Sequence, residues 1–229
     1  MALTLTFNGD KSVLSADYFP TIQLENDYVC GLVDFQTYNS IPNIDLENNL
    51  FHIGGNVYEI PTGSYEIEDI SQYLLKKIGS NTFSLKANIN TLNCEINSSM
   101  EIFTNKERSV CQLLGFSKER EILMPNIIHI SDLPVNIMNV NIIRVECNIV
   151  SSSYINNQQS HTLHEFALNV GPGYKIVEIP KNVIYLPVNV KEITSITLKI
   201  LDQNDNLINF RGETITIRLH LQRQPKQLQ

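Results

Sequence analysis

The sequence predicts an all-β protein, a sandwich or a barrel, with two short helices in its connections. Three observations lead to this prediction. Apolar and polar residues alternate along many segments, clusters of Asn, Gly, Pro and Ser separate these segments, and only two segments show helical spacing. Roughly eight to ten strands are expected from this pattern.

The candidate strands run through the whole chain. The alternation is clearest in GETITIRLHLQ, where Ile215, Ile217, Leu219 and Leu221 share one face, as a half-buried strand requires. In chain order, the candidates are LTLTF, CGLVDFQTY, LFHIGG, FSLKANI, LNCEI, MEIFT, NIIRVECNIV, YKIVEI, ITSITLKIL and GETITIRLHLQ.

The first predicted helix lies in SYEIEDISQYLLKKIG. Its apolar residues Ile67, Ile70, Leu74 and Ile78 fall at helical spacing. Acidic residues lie at its N-terminal end, and two lysines and a glycine lie at its C-terminal end, as the helix dipole favours.

The second predicted helix lies in TNKERSVCQLLGF. Thr104 and Glu107 have the spacing of a capping box, and Gly115 marks the expected end. Neither helix lies between parallel-strand signals, so both are expected to decorate a sheet.

The pattern predicts one domain over residues 1–229, with an N-terminal arm of about residues 1–20 and a C-terminal tail at 223–229. A candidate seam lies in MPNIIHISDLPVNIMN, residues 124–139. This segment is either a domain linker or a loop between strands of one domain, and it is too apolar for a solvated tether.

Composition argues against several function classes. No segment approaches the roughly 18 to 20 apolar residues that span a bilayer, and polar residues interrupt the start before a secretory apolar run could build. A soluble protein made in the cytosol, without a secretory signal or membrane contact, is expected. A net charge of −7 without clustered Lys and Arg argues against direct nucleic-acid binding.

Four cysteines are spread along the chain without a CxxC pair: Cys30, Cys94, Cys111 and Cys147. This spacing lacks the zinc-ribbon and redox signatures, and reduced, partly buried thiols are expected.

The segment LDQNDNLINFRGE has part of a calcium loop. Asp202, Asn204, Asn206 and Glu213 occupy the first, third, fifth and twelfth places of an EF-hand loop. Leu207 stands at the sixth place, where an EF-hand loop needs glycine. An EF-hand also needs a helix on each side of the loop, whereas both flanking segments here alternate as strands. We therefore interpret the segment as a β-turn that leads into the last strand.

The segment SHTLHEF offers a candidate metal site of His161, His164 and Glu165. Zincin helices place their histidines four residues apart, whereas here the spacing is three, which on a strand sends the two side chains to opposite faces. We find no nucleophile elbow and no phosphate-binding loop, and we predict no catalytic residue, metal or cofactor.

Four segments, taken in order, resemble a known family: VYEIPTGSYEIEDISQYLLKKI, ERSVCQLLGFS, SHTLHEF and LDQNDNLINFRGETITIRLHL. They are similar to the minor capsid, or penton, protein of Maverick/Polinton-type mobile elements and related adintoviruses. The resemblance spans the chain from about Tyr58 to Leu221.

The resemblance implies a jelly roll, that is, eight antiparallel strands in two facing sheets. It further implies a homo-pentamer at the vertices of a virion capsid, beside a double jelly-roll major capsid protein. The strand LTLTF and the tail RQPKQLQ are candidate arms that contact neighbours, and disordered ends are the alternative.

Two other functions stay open at this point. One is a β-sandwich module that binds a carbohydrate or a receptor through exposed tyrosines such as Tyr38, Tyr154 or Tyr185. The other is a metal-dependent enzyme that uses the three residues of SHTLHEF named above.

Overall fold

The computed structural model describes residues 2–25, 27–79, 81–151 and 153–224, and antiparallel strands dominate it. In chain order, these residues form β1 (Ala2–Gly9), β2 (Val13–Gln23), β3 (Tyr28–Tyr38), β4 (Leu50–Ile53), β5 (Asn56–Glu59), α1 (Ile67–Ile78), β6 (Phe83–Asn88), β7 (Asn93–Ser98), β8 (Ile102–Phe103), β9 (Ile122–Leu123), β10 (His129–Ile130), β11 (Ile142–Cys147), β12 (Ser153–Ile155), β13 (Gln158–Ser160), β14 (Thr162–Ala167), β15 (Lys175–Glu178), β16 (Leu186–Pro187), β17 (Glu192–Leu201) and β18 (Ile215–Arg223). Two short 3₁₀ turns lie at Val110–Gln112 and Lys118–Arg120.

The chain forms two compact units. Unit 1 comprises the described residues up to Ile41 and those from Val140 onward, and unit 2 is Pro42–Asn139. Unit 2 is therefore an insertion between β3 and β11 of unit 1. The candidate seam at residues 124–139 forms the last part of unit 2, and the chain returns to unit 1 directly after it.

Unit 1 is a jelly roll of two antiparallel sheets. One sheet has the order β1-β18-β3-β15, with β16 also paired to β3, and the other has the order β14-β11-β17-β2. These two orders contain eight strands when β16 is left out. Numbered 1 to 8 along the chain, they lie in the orders 1-8-3-6 and 5-4-7-2, which is the connectivity of a jelly roll. The predicted antiparallel sandwich is confirmed.

The inward faces of the two sheets share one apolar core. Ile215, Ile217, Leu219 and Leu221 are fully buried, as their alternation predicts. Phe35 of β3 is also fully buried, and its ring centroid lies 5.2 Å from that of Phe166 and 6.4 Å from that of Phe210. Burial of these alternating side chains is the main stabilising contribution to the sandwich.

The residues of the expected N-terminal arm, about 1–20, lie in the sheets instead of extending from them. β1 pairs with β18 along its whole length, and its Leu3, Leu5 and Phe7 alternate and pack on the core. β2 pairs with β17, and its Leu14 and Ala16 pack on the same core. β1 is an edge strand of its sheet. Its contact with a neighbouring subunit stays a prediction. The expected tail begins at Arg223 in β18, and residues 225–229 lie outside the described residues.

Unit 2 has its own core between two small sheets and α1. The sheets have the orders β5-β4-β8-β9 and β10-β7-β6. The predicted first helix is confirmed at Ile67–Ile78, where Ile70 and Leu74 are fully buried. Its Ser71 hydroxyl donates a 2.8 Å hydrogen bond to the carbonyl oxygen of Leu85 in β6.

The second predicted helix is wrong. Thr104 starts no helix, because Arg108 takes a left-handed φ of 56° and Ser109 is extended. Helical hydrogen bonds cannot continue through these two residues. What forms is a short 3₁₀ turn at Val110–Gln112, capped by the Ser109 hydroxyl, which accepts a hydrogen bond from the backbone N–H of Cys111.

Hydrogen bonds hold the two ends of unit 2 side by side. The Asn43 amide donates to the carbonyl oxygen of Ile137 at 3.0 Å, and the Asn139 amide donates to the carbonyl oxygen of Asn43 at 3.3 Å. Adjacent ends are a property of inserted units that fold by themselves.

We therefore expect unit 2 to fold when it is expressed alone as residues 42–139. We also expect unit 1 to fold when a short Gly-Ser linker replaces those residues, since each unit contains a separate core. Circular dichroism and thermal melts of the two fragments test this. If both fragments are unfolded, the expected single domain over residues 1–229 is supported instead.

Candidate interaction surfaces

The calcium-like loop is a turn between β17 and β18. The Asp202 carboxylate Oδ1 accepts hydrogen bonds from the backbone N–H groups of Asn204 and Asn206, at 2.8 Å and 2.9 Å. Asp205 takes a left-handed φ of 65° within the turn. The carboxylate that an EF-hand would aim at an ion thus caps its own backbone, and the interpretation as a β-turn is confirmed.

The three residues of the candidate metal site have three different partners. The His161 ring contacts a backbone carbonyl oxygen, that of Val150. His164 Nε2 lies 3.0 Å from the Glu178 carboxylate, and Glu165 pairs with an arginine. The structure does not bring these side chains together. Among the described residues, no group of three or more His, Cys, Asp or Glu side chains could hold a metal ion.

A buried arginine lies on β11, and the sequence analysis missed it. The Arg144 side chain is only 8% exposed, and it pairs with Glu165 on β14 at 3.4 Å and with Asp205 in the β17–β18 turn. A buried guanidinium needs such partners, because an unpaired charge in the interior is costly. This network fixes the turn against the sheet.

All four cysteines are free, as expected, and they are fully buried, whereas partial burial was expected. Burial raises the pKa of the Cys94 thiol to about 12 and that of Cys111 to about 11. A hydrogen bond with Cys147, together with burial, raises the pKa of the Cys30 thiol far above its usual value. These three thiols stay protonated near neutral pH, which makes them poor nucleophiles.

The three tyrosines proposed for ligand binding do not form one site. Tyr38 and Tyr154 are 48% and 71% exposed, whereas the Tyr185 hydroxyl lies 2.8 Å from Nδ1 of His220. Tyr38 ends β3, whereas Tyr185 precedes β16, which pairs with the beginning of β3. Tyr38 and Tyr185 are thus near opposite ends of that strand.

Unit 1 exposes large apolar side chains at one sheet edge, on and around β15. We call these residues the edge cluster, and each is at least half exposed: Tyr174, Val177, Ile179 and Ile184. β15 is four residues long and ends the sheet on this side. Contiguous exposed apolar surface is typical of sites that bind other proteins, which makes the edge cluster a candidate interaction surface.

Unit 2 exposes a second apolar segment within the candidate seam. Its exposed side chains are Met124, Ile127, Ile128, Ile130 and Leu133, each more than half exposed. β10 lies within this segment and forms one edge of the sheet β10-β7-β6.

The outward face of the same sheet carries two adjoining shallow pockets. The first, of about 150 Å³, is lined by Asn81, Thr82, Phe83, Ser84, Asn97, Ser98, Ser99 and Asn126. The second, of about 190 Å³, is lined by Ser84, Lys86, Glu95, Ile96, Asn97 and Ile128. Both pockets are lined by Ser84 and Asn97, so they adjoin each other, and we call the two together the groove of unit 2.

No helix in the described part of the chain has the length and apolar character needed to cross a bilayer.

Comparison with known proteins finds similarity to a solved structure. No protein-family model matches the chain, and no curated protein matches it. The crystal structure of the mavirus penton protein is similar over 97% of this chain and 99% of that chain, with a TM-score of 0.54 and 11% sequence identity. At this identity, the similarity concerns the fold.

Proposed function

We propose that the chain is a structural capsid protein, a penton or minor capsid subunit. In this role it assembles as a ring, a homo-pentamer, at the vertices of a virion beside a double jelly-roll major capsid protein. It acts through binding surfaces and not through catalysis. The observation that carries the proposal is the similarity to the mavirus penton protein over nearly the full length of both chains.

The inserted unit makes this similarity more specific than a shared jelly roll. Jelly rolls serve many unrelated functions, so the fold of unit 1 alone would carry little functional information. Pro42–Asn139 comprises 98 of the 229 residues, so a similarity confined to unit 1 could not cover 97% of the chain. The similarity therefore includes the insertion, and this supports a common role.

The edge cluster is the surface of unit 1 that best suits contact between copies. A closed ring uses head-to-tail contacts, in which one surface of each copy meets a different surface of the next. The centres of such interfaces are apolar and their rims are polar. Within the edge cluster, Lys175 follows Tyr174, and Glu178 lies between Val177 and Ile179, so polar side chains border the exposed apolar ones.

We expect the double variant Ile179→Glu/Ile184→Glu to abolish self-assembly without unfolding the chain. Both side chains are more than 60% exposed, so the substitutions remove no core contact, but they place charges in the proposed interface. Light scattering coupled to size-exclusion chromatography should give a multiple of 26.0 kDa for the unchanged protein and 26.0 kDa for the variant.

The matched control is Ile89→Glu, since Ile89 is an isoleucine of unit 2 that is 85% exposed. This control should assemble like the unchanged protein, and all three proteins should have the same melting temperature. Normal assembly of the double variant would show that the edge cluster does not join the copies.

A further inference from the structure

The groove of unit 2 has an uncharged polar floor. Ser84 of β6 and Asn97 of β7 lie directly opposite each other in the strand register, and both are at least partly exposed on the outward face of the sheet. Asn81 and Asn126 line the same pocket. Three carboxamides and a hydroxyl therefore surround one small volume.

The backbone holds these side chains in place. The N–H of Asn126 donates to the carbonyl oxygen of Ser98 at 2.6 Å, and the N–H of Ser99 donates to that of Thr82 at 2.9 Å. These bonds tie the three segments of the pocket together without using the amide groups of its asparagines.

Those amide groups remain available to a ligand. Within the described chain, the side chains of Asn81, Asn97 and Asn126 make no hydrogen bond, and all three residues are exposed. Each carboxamide offers two donors and one acceptor. This pattern complements a ligand whose groups both donate and accept, as hydroxyl groups do.

The second half of the groove adds charge balance and an apolar wall. Lys86 and Glu95 oppose each other in the strand register, so the groove has no excess of either charge. Ile128 lines this half at 63% exposure, and Ile130, two residues along the same face, is 55% exposed. These two isoleucine side chains can pack against the apolar face of a ring-shaped ligand.

We propose that this groove binds an uncharged saccharide, whose hydroxyls bond to Asn81, Asn97, Asn126 and Ser84 while a sugar ring packs on Ile128. The two pockets are each well below the roughly 300 Å³ of the smallest drug-sized sites, so each accommodates one small ring. The proposal goes beyond the capsid role and does not depend on it, because the groove lies within unit 2 alone.

The balanced charge of the groove favours a neutral ligand over an anionic one. An acidic sugar or a phosphate would place its negative charge near Glu95 as well as Lys86. A fully ionised phosphate would also leave the carboxamide oxygens without donors. A purely apolar ligand would bury the three carboxamides without partners, which is costly.

The test measures binding of the full chain to soluble oligosaccharides of mannose, galactose and N-acetylglucosamine, with sialyllactose as an anionic comparison. Saturation-transfer NMR detects the contact, and titration calorimetry gives the Kd. We expect at least one neutral probe to bind, and its Kd to rise about tenfold in Asn97→Ala, as loss of one hydrogen bond to the ligand predicts. Ile128→Ser should weaken binding by a similar factor.

Asn90→Ala is the matched control, because Asn90 is exposed on the turn between β6 and β7 and does not line the groove. Its Kd should stay within about twofold of the unchanged value. Absence of neutral-probe binding at about 10 mM, binding of sialyllactose alone, or equal affinity of Asn97→Ala and the unchanged protein would each overturn the proposal. None of these outcomes bears on ring assembly.

Discussion

Replacement of Gly115 by alanine should lower the free energy of unfolding by about 3 kcal/mol, with the loss confined to unit 2. A Cβ at this position would lie 2.1 Å from the carbonyl oxygen of Leu133, which is backbone and cannot move aside like a flexible side chain. Gly115 also has a left-handed φ of 86°, which alanine adopts only at a cost.

The backbones of Gly115 and Leu133 lie close together because they share a hydrogen bond. The carbonyl oxygen of Gly115 accepts a 3.0 Å hydrogen bond from the backbone N–H of Leu133, so this contact joins the 3₁₀ turn to the seam segment. Urea denaturation followed by fluorescence or circular dichroism measures the change.

Gly55→Ala is the control that separates crowding from backbone strain. Gly55 has a φ of 78°, but no atom lies within 4 Å of the position that a Cβ would take. It should cost only about 1 to 2 kcal/mol. Equal losses for the two variants would mean that the contact of Gly115 with Leu133 does not hold the segment.

Phe35→Ala should destabilise unit 1 by about 3 to 5 kcal/mol, because it removes a fully buried ring from the centre of a close-packed core. The cavity would adjoin Phe166 and Phe210, whose rings now contact that of Phe35. A loss of this size is a large part of the roughly 5 to 15 kcal/mol that stabilises an ordinary domain.

Tyr154→Ala serves as the aromatic control for this variant. Tyr154 is 71% exposed on β12, so its loss should change the free energy of unfolding by less than about 0.5 kcal/mol. Chemical denaturation of both variants checks the pair. A cost below about 1 kcal/mol for Phe35→Ala would contradict the shared core between the two sheets.

Alternation along the chain was sufficient to predict most of the sandwich. The apolar residues of β18 and β11 are buried as their period of two requires, because one face of each sheet meets the core. The helix α1 was predictable for a similar reason, since its apolar stripe and its terminal charges agree. These are local signals, and each is contained in a short segment.

β2 and the second helix show where local signals fail. Most of β2 was assigned to the arm, and its segment was not among the candidate strands, yet pairing with β17 makes it a strand. In the second case, the left-handed backbone of Arg108 prevents the helix that Thr104 and Glu107 indicate. Tertiary contacts decided both outcomes, and local propensity does not contain them.

The candidate sites depend even more on distant residues. Arg144 meets an aspartate 61 positions later in the chain, and no local pattern announces that pair. The groove of unit 2 combines Asn81, Asn97 and Asn126, which come from three separate segments. Asparagine is common in loops of this sequence, so only the fold distinguishes these three from the others.

The most direct test of the capsid proposal is the mass of the assembled protein. Native mass spectrometry and sedimentation, with and without a double jelly-roll major capsid protein, should detect a closed species of about 130 kDa, five copies of the 26.0 kDa chain. A mass of 26.0 kDa at every concentration, unchanged when the major capsid protein is added, would contradict the proposed vertex subunit.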